Sequence, residues 1–197
     1  MSLTVTALTG NDVAAAIPLI ARLRIEVFRD WPYLYDGDLD YEARYLADFA
    51  RSPDATVIAA FDGERLVGAS TAVPLAHEPE AFRSPVEEAG IDVSRVCYFG
   101  ESILKAEYRG RGIGHHFFDG REGHARRLGL PMTLFCAVIR PADHPLKPAN
   151  YRPLDDFWRK RGYEPVPGLI AQLAWRDCGS DGETEKALQF WMRETGA

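Results

Sequence analysis

Between residues 101 and 114 the chain reads Glu-Ser-Ile-Leu-Lys-Ala-Glu-Tyr-Arg-Gly-Arg-Gly-Ile-Gly, and no other stretch restricts the possible folds as strongly. An apolar run from Val96 to Leu104 leads into it, and an amphipathic run to about Leu128 follows, so Gly110, Gly112 and Gly114 occupy a strand-to-helix turn. Such a turn suits an anion. Missing Cβ atoms let backbone N–H groups come close, and the following helix offers donors without intrahelical acceptors together with the positive end of its dipole. Arg109 and Arg111 add positive charge at the same point.

The rest of the chain supplies the elements around this unit. Thr4 to Leu8 reads as a strand, and Val13, Ile17, Ile20, Leu23 and Val27 recur at helical spacing, with Pro18 predicting an irregularity in the first turns. A loop over Trp31–Asp38 precedes a second helix, capped at Asp40 and stopped by Ser52-Pro53. Thr56 to Phe61 and Arg65 to Pro74 flank Asp62-Gly63-Glu64, a hairpin signal. His77 to Ser94 reads as a long connection with one helical turn near Pro85 to Ala89. Met132 to Ile139 is a buried strand, Leu154 to Arg161 a short helix ended by Gly162, and Leu169 to Trp175 a last strand. The spacing of Ala187, Leu188 and Trp191 predicts a C-terminal docking helix over 183–193. The expectation is one α/β domain spanning 1–197.

Spacing separates three ligand readings of the glycine turn. A P-loop needs Gly-Lys-Ser/Thr, whereas this chain continues Gly114-His115-His116. A dinucleotide fingerprint wants a Gly at the position of His115 and an acid after the next strand, where Val138-Ile139-Arg140 has none. The third reading matches: Arg109-Gly110-Arg111-Gly112-Ile113-Gly114 resembles the Arg/Gln-x-x-Gly-x-Gly/Ala acyl-CoA pyrophosphate loop of the GNAT superfamily of N-acyltransferases. Glu107-Tyr108 is the family's usual lead-in, although Ala106 stands where Pro is common, and Phe157-Trp158-Arg159-Lys160-Arg161-Gly162-Tyr163 is similar to a later helix-to-strand segment. The element order from about Leu3 to Trp175 also looks like that fold, a mostly antiparallel sheet flanked by helices; Glu183 onward lies outside the resemblance.

The resemblance implies an N-acetyltransferase that moves an acetyl group from acetyl-CoA to a primary amine, of a small molecule, by direct attack in a ternary complex. Residues Arg109, Gly110, Arg111, Gly112, Ile113 and Gly114 would hold the pyrophosphate, and backbone groups around Ile103 and Leu104 the pantetheine arm and thioester carbonyl. An alkylammonium has a pKa of about 10.4, so attack at neutral pH needs a proton acceptor. Glu101, where such enzymes place an acid, is the catalytic candidate; the alternative is a strand-end Glu satisfied by a neighbouring donor. The family's Tyr that protonates the departing thiolate is replaced by Trp158, which leaves Tyr151 or water as the acid, with Asn150 beside it as a cofactor contact. A non-catalytic acyl-CoA-binding or sensor module is the rival reading.

Trp31, Tyr33 and Tyr35 mix with Asp36, Asp38 and Asp40 in the first inter-helix loop, a composition suited to a cationic amine; a solvated loop with anchored aromatics and Asp40 as a helix cap is the alternative. Twenty-three Lys+Arg against 29 Asp+Glu give a net charge of −6, the wrong sign for coating nucleic acid. Cys97, Cys136 and Cys178 are odd in number and widely spaced, which suggests neither a disulfide framework nor a zinc ribbon, and Cys136 reads as a buried inert thiol. The five histidines show no ligand spacing, so no metal is expected. No run approaches the roughly 20 apolar residues of a membrane span, and the start Met1-Ser2-Leu3-Thr4 lacks a signal peptide's basic and apolar regions, so a cytoplasmic protein without a membrane partner is expected. Phe190 and Trp191 mark a candidate homodimer face, and Tyr163 and Trp175 read as core.

Overall fold

The β-branched run Leu3–Thr9 forms strand β1, and the aliphatic stripe from Val13 to Leu23 forms helix α1, Asn11–Phe28, in a computed structural model that describes residues 3–195. Met1 and Ser2, part of the expected leaderless start, and Gly196 and Ala197 lie outside the described residues. Helix α1 continues through Pro18. Its buried side chains contribute about 1.5–3 kcal/mol each, which outweighs a proline cost of about 3 kcal/mol. Helix α2, Leu39–Ala50, is capped by Asp38, whose carboxylate accepts the Tyr41 N–H at 2.9 Å; the expected cap Asp40 lies in the first turn instead.

Strands β2, Thr56–Asp62, and β3, Arg65–Pro74, form the expected antiparallel hairpin. The connection after it holds a 3-10 turn, Leu75–His77, and a helix α3, Glu80–Glu88, longer than the single turn expected because Phe82 and Val86 bury one face. The apolar run from Val96 divides into β4, Val96–Tyr98, and β5, Ser102–Leu104. Helix α4, Ile113–Arg127, strand β6, Met132–Val138, and helix α5, Asp155–Lys160, follow.

The C-terminal segment departs from the sequence reading. Glu164–Arg176 forms strand β7, and Glu183–Glu194 is strand β8, not a docking helix. The helical spacing was a coincidence in which one buried polar residue, Lys186, and one half-buried one, Gln189, masked the alternation. The Lys186 ammonium is held by Thr184 and the Trp175 carbonyl, and the Gln189 amide donates to the carbonyls of Val166 and Leu169, where the β7–β8 register shifts. Phe190 and Trp191 are enclosed in the core, so they do not form the subunit face expected of them.

The sheet runs β1-β2-β3-β4-β6-β8-β7, with β5 also on β3. Val57 and Ala59 turn to α1 while Ile58 and Ala60 turn to α4, so β2 is apolar on both faces. Gly120 in α4 makes that approach possible, since a Cβ there would lie 2.7 Å from Ile58. On the other half of the sheet, α3 covers Tyr98, Leu134 and Phe190, and the far face packs Phe99, Phe118, Phe135, Tyr163 and Trp191.

Candidate active site

The break between β4 and β5 opens the middle of the sheet. β4 runs parallel to β6, and the last bond of that pairing is Phe99 N–H to the Leu134 carbonyl at 2.8 Å. Beyond it, β5 stays on β3 while Phe135 to Val138 pair only with β8, leaving a wedge between β5 and β6. Glu101 O accepts from Thr71 N–H at 3.1 Å and Lys105 N–H reaches Val67 O at 3.0 Å. By the alternation of the ladder Ile103 is therefore turned to Ala69, and the backbone groups of Ser102 and Leu104 face the wedge.

At one end of the wedge lies the glycine turn. Gly112 is the N-cap of α4 with φ 83°, and Gly110 has φ 75°, left-handed values that cost other residues about 1–2 kcal/mol. His115 N–H donates to Gly112 O at 3.0 Å, so Ile113 and Gly114 precede the first intrahelical bond and keep their donors for a ligand. Tyr108 fixes the turn by donating to Asp62 at 2.9 Å, and the Arg111 guanidinium lies over its ring. Arg109 folds back to the Leu104 carbonyl at 3.3 Å. The first turn of α4 has no acidic residue and its last turn carries His124, Arg126 and Arg127, the polarity that favours an anion at the start.

At the other end is a cavity of about 640 Å³. The expected loop supplies Tyr33, Tyr35, Asp36 and Asp38; Phe28, Tyr41, Tyr45, Phe82 and Tyr98 add aromatic wall, and Asp181 and Glu183 add carboxylates. Trp175, expected in the core, is half-buried and lines this wall, its indole N–H donating to Tyr33 O at 3.1 Å. Arg140 fastens the loop to the sheet: it donates to the carbonyls of Pro32 and Tyr33 and pairs bidentately with Asp177 at 2.8 and 2.9 Å.

Glu101 stands where cavity and wedge meet, 5% exposed. One carboxylate oxygen accepts from Arg24 and the other from the Thr71 hydroxyl. Arg24 also donates to the buried Glu42. Burial alone would lower the guanidinium's pKa, but the charges of Glu101 and Glu42 override it and hold it above its ordinary value. Behind Glu101, Arg121 of α4 donates to its carbonyl at 3.2 Å while sandwiched between Phe99 and Phe118.

Three members of this cluster were not singled out from the sequence. Arg24 falls on the apolar stripe of α1, four residues after Ile20, and Glu42 sits four before the buried Leu46; a charge on an apolar face was the available signal. Glu78 is only 9% exposed, and burial, reinforced by the charge of Glu101 and opposed by Arg24, pushes its carboxyl up to about 8. Nothing in the run His77 to Ser94 distinguishes it. Cys136 is part of the cavity wall, 3.1 Å from the Tyr98 hydroxyl, with its thiol pushed up to about 12 by burial.

Asn150 is exposed, and Tyr151 is half-buried with its ring edge-on to Trp31 at 5.9 Å. Trp158 packs against Phe135 and Trp191. His124 is buried and its Nε2 lies 2.7 Å from the Asp54 carbonyl oxygen. Among the described residues no cluster of three or more His, Cys, Asp or Glu gathers to hold a metal, and no helix is long and apolar enough to cross a membrane.

Residues 21–148 match the family model described as Acetyltransferase (GNAT) family. No curated protein gives a match. Among solved structures, the ribosomal-protein-alanine N-acetyltransferase from Brucella melitensis is 15% identical with a TM-score of 0.59, over 97% of this chain and 99% of that one. An N-acetyltransferase from Staphylococcus aureus is 12% identical with a TM-score of 0.59, over 99% of each chain. An aminoglycoside 6'-N-acetyltransferase complexed with coenzyme A is 16% identical with a TM-score of 0.60, over 98% of each. At these identities the likeness shows the fold, a mostly antiparallel open sheet flanked by helices.

Proposed function

The chain belongs to the GNAT acetyltransferase family, and from that premise we propose that it transfers an acetyl group from acetyl-CoA to the primary amine of a small cationic molecule, by direct attack in a ternary complex. One observation carries this reading: an anion-binding turn and an acidic, aromatic cavity lie at opposite ends of the same sheet wedge, with Glu101 at the junction.

The residues present fit the cosubstrate. The N–H groups of Gly112, Ile113 and Gly114, with Gly110 giving close approach and Arg109 and Arg111 adding charge, suit a pyrophosphate. The open edge of Ser102 and Leu104, kept in place by the buried Ile103, suits an amide-bearing arm and a polarised carbonyl, where preorganised donors stabilise developing negative charge. Acetyl-CoA supplies the activated acyl group.

At the acceptor end the aromatic faces and carboxylates attract an ammonium, and Glu101, at the junction, accepts its proton, directly or through a water, so that the free amine attacks. Positioning the amine against the acyl carbon contributes most of the rate. Tyr151, with water as the alternative, returns a proton to the leaving thiolate, and Asn150 contacts the cosubstrate from the same loop. Trp158 is committed to an aromatic cluster and its indole is no acid.

The test is release of free CoA thiol from acetyl-CoA across a panel of small amines. Amine-dependent release supports the reading; acetyl-CoA binding without release under any amine supports a binding module instead.

A further inference from the structure

Resting on that acetyltransferase reading, with Glu101 as proton acceptor, we infer that Glu42 is a positioning residue for the reaction: it holds one edge of the Arg24 guanidinium and shares its charge, which leaves Glu101 able to take the amine's proton.

Glu42 lies in the first turn of α2, four residues before the buried Leu46, and is 0% exposed. An acid there suits the helix dipole, but Asp38 at the cap and Asp40 beside it already meet that need from the surface. One Glu42 oxygen accepts from Arg24 Nε, and the other has no hydrogen-bond partner among the described residues. A buried carboxylate with an unpaired oxygen costs free energy, and an apolar side chain would fill the same space without that cost. What Glu42 adds is its hold on Arg24.

That hold sets the approach of Arg24 to the acceptor. The Phe28 and Tyr45 rings lie 5.1 and 4.8 Å from the guanidinium carbon, Nε faces Glu42, and Nη1 faces Glu101. An arginine free to turn grips a carboxylate with two parallel bonds. With Nε committed to Glu42, Arg24 meets Glu101 through Nη1 alone, at one oxygen. The other oxygen is kept for the Thr71 hydroxyl, which also accepts the Glu101 N–H at 2.9 Å. Each Glu101 oxygen thus accepts one bond and keeps a second lone pair.

Charge acts in the same direction. A guanidinium in contact makes a carboxylate a weaker base by roughly ten- to a thousandfold, and a second carboxylate on the same guanidinium offsets part of that. Arg24 is the cation in contact with the Glu101 carboxylate, whereas Arg121 of α4 reaches its main-chain carbonyl. Tyr33, Tyr45 and Glu78 also feel the charge of Glu101, and Tyr35 of the cavity wall feels that of Glu42.

The experiment compares Glu42→Gln with Glu42→Asp by following kcat, at saturating amine and acetyl-CoA, down the acid side of the pH profile. Gln keeps the shape and an acceptor for Arg24 Nε but not the charge; Asp keeps the charge and loses a methylene. Glu42→Gln should lower plateau kcat several-fold and move the acid limb down by roughly one pH unit, with acetyl-CoA affinity unchanged by calorimetry. Glu42→Asp should recover most of the wild-type kcat and limb position. A packing role gives the reverse order, with Gln like wild type and Asp impaired, and overturns the inference. Arg24→Met/Glu42→Leu replaces the buried pair by apolar groups, an exchange that folds commonly tolerate, and should move the limb to higher pH because no cation then touches Glu101. Should Glu42→Gln not fold, this double variant decides, and a limb at the wild-type position overturns the inference. An acid limb that survives in Glu101→Gln places the acceptor elsewhere and also overturns it. A wild type that releases no thiol with any amine fails the parent reading, and this role falls with it.

Discussion

Arg24, in the middle of α1, donates to the Glu101 carboxylate 77 positions later and to Glu42 of α2, so one guanidinium joins the first two helices to the broken strand at the wedge. This contact binds the cavity wall to the place where the sheet opens.

Replacing Arg24 by Gln leaves two carboxylates buried without their counter-charge. The loss should be about 3 kcal/mol or more of stability, read as a lower denaturant midpoint.

Stability should also depend on pH through Glu78. Below the ordinary value of 4.5 both folded and unfolded chains hold its proton, whereas from there to about 8 only the folded chain does. The folded state is thus penalised progressively as pH rises, by up to roughly 1.4 kcal/mol per unit, and levels off above that range. Glu78→Gln has no such penalty. Its stability relative to wild type should grow between about pH 5 and pH 8, measured by urea unfolding across that range.

The acceptor wall gives a third outcome. Trp175→Ala removes an aromatic face and the donor to Tyr33 O, and should raise the acceptor KM several-fold, consistent with a cation–π loss of about 0.5–2 kcal/mol. Acetyl-CoA affinity should not change. Trp175→Phe keeps the face and should recover most of the loss; equal effects of both variants on cosubstrate binding would mean the wall belongs to the other end of the wedge.

The local signals were legible where sequence and burial agree. The glycine turn, the Asp-Gly hairpin and the stripe of α1 are continuous in sequence, and each is found as read. β8 was not, because the buried Lys186 and the half-buried Gln189 are satisfied by hydrogen bonds to chain segments that only the folded sheet brings near. The loop aromatics Tyr33 and Tyr35 were legible as acceptor-site candidates from composition, and they line the cavity. Glu78 was hidden for a different reason: its character comes entirely from burial beside Glu101 and Arg24, residues distant in sequence. Trp175 shows the same limit, since an aromatic in a strand reads as core until the wall it forms is seen.

The central claim is that main-chain donors at the start of α4 grip the diphosphate of coenzyme A, and calorimetry of CoA binding to wild type and Gly112→Val tests it most directly. Valine has no comfortable place at φ 83°, and a strain of about 1–2 kcal/mol or more displaces the donors, so wild type should bind one CoA and the variant about tenfold more weakly or worse. No heat with wild type, or the same affinity in both proteins, contradicts the account.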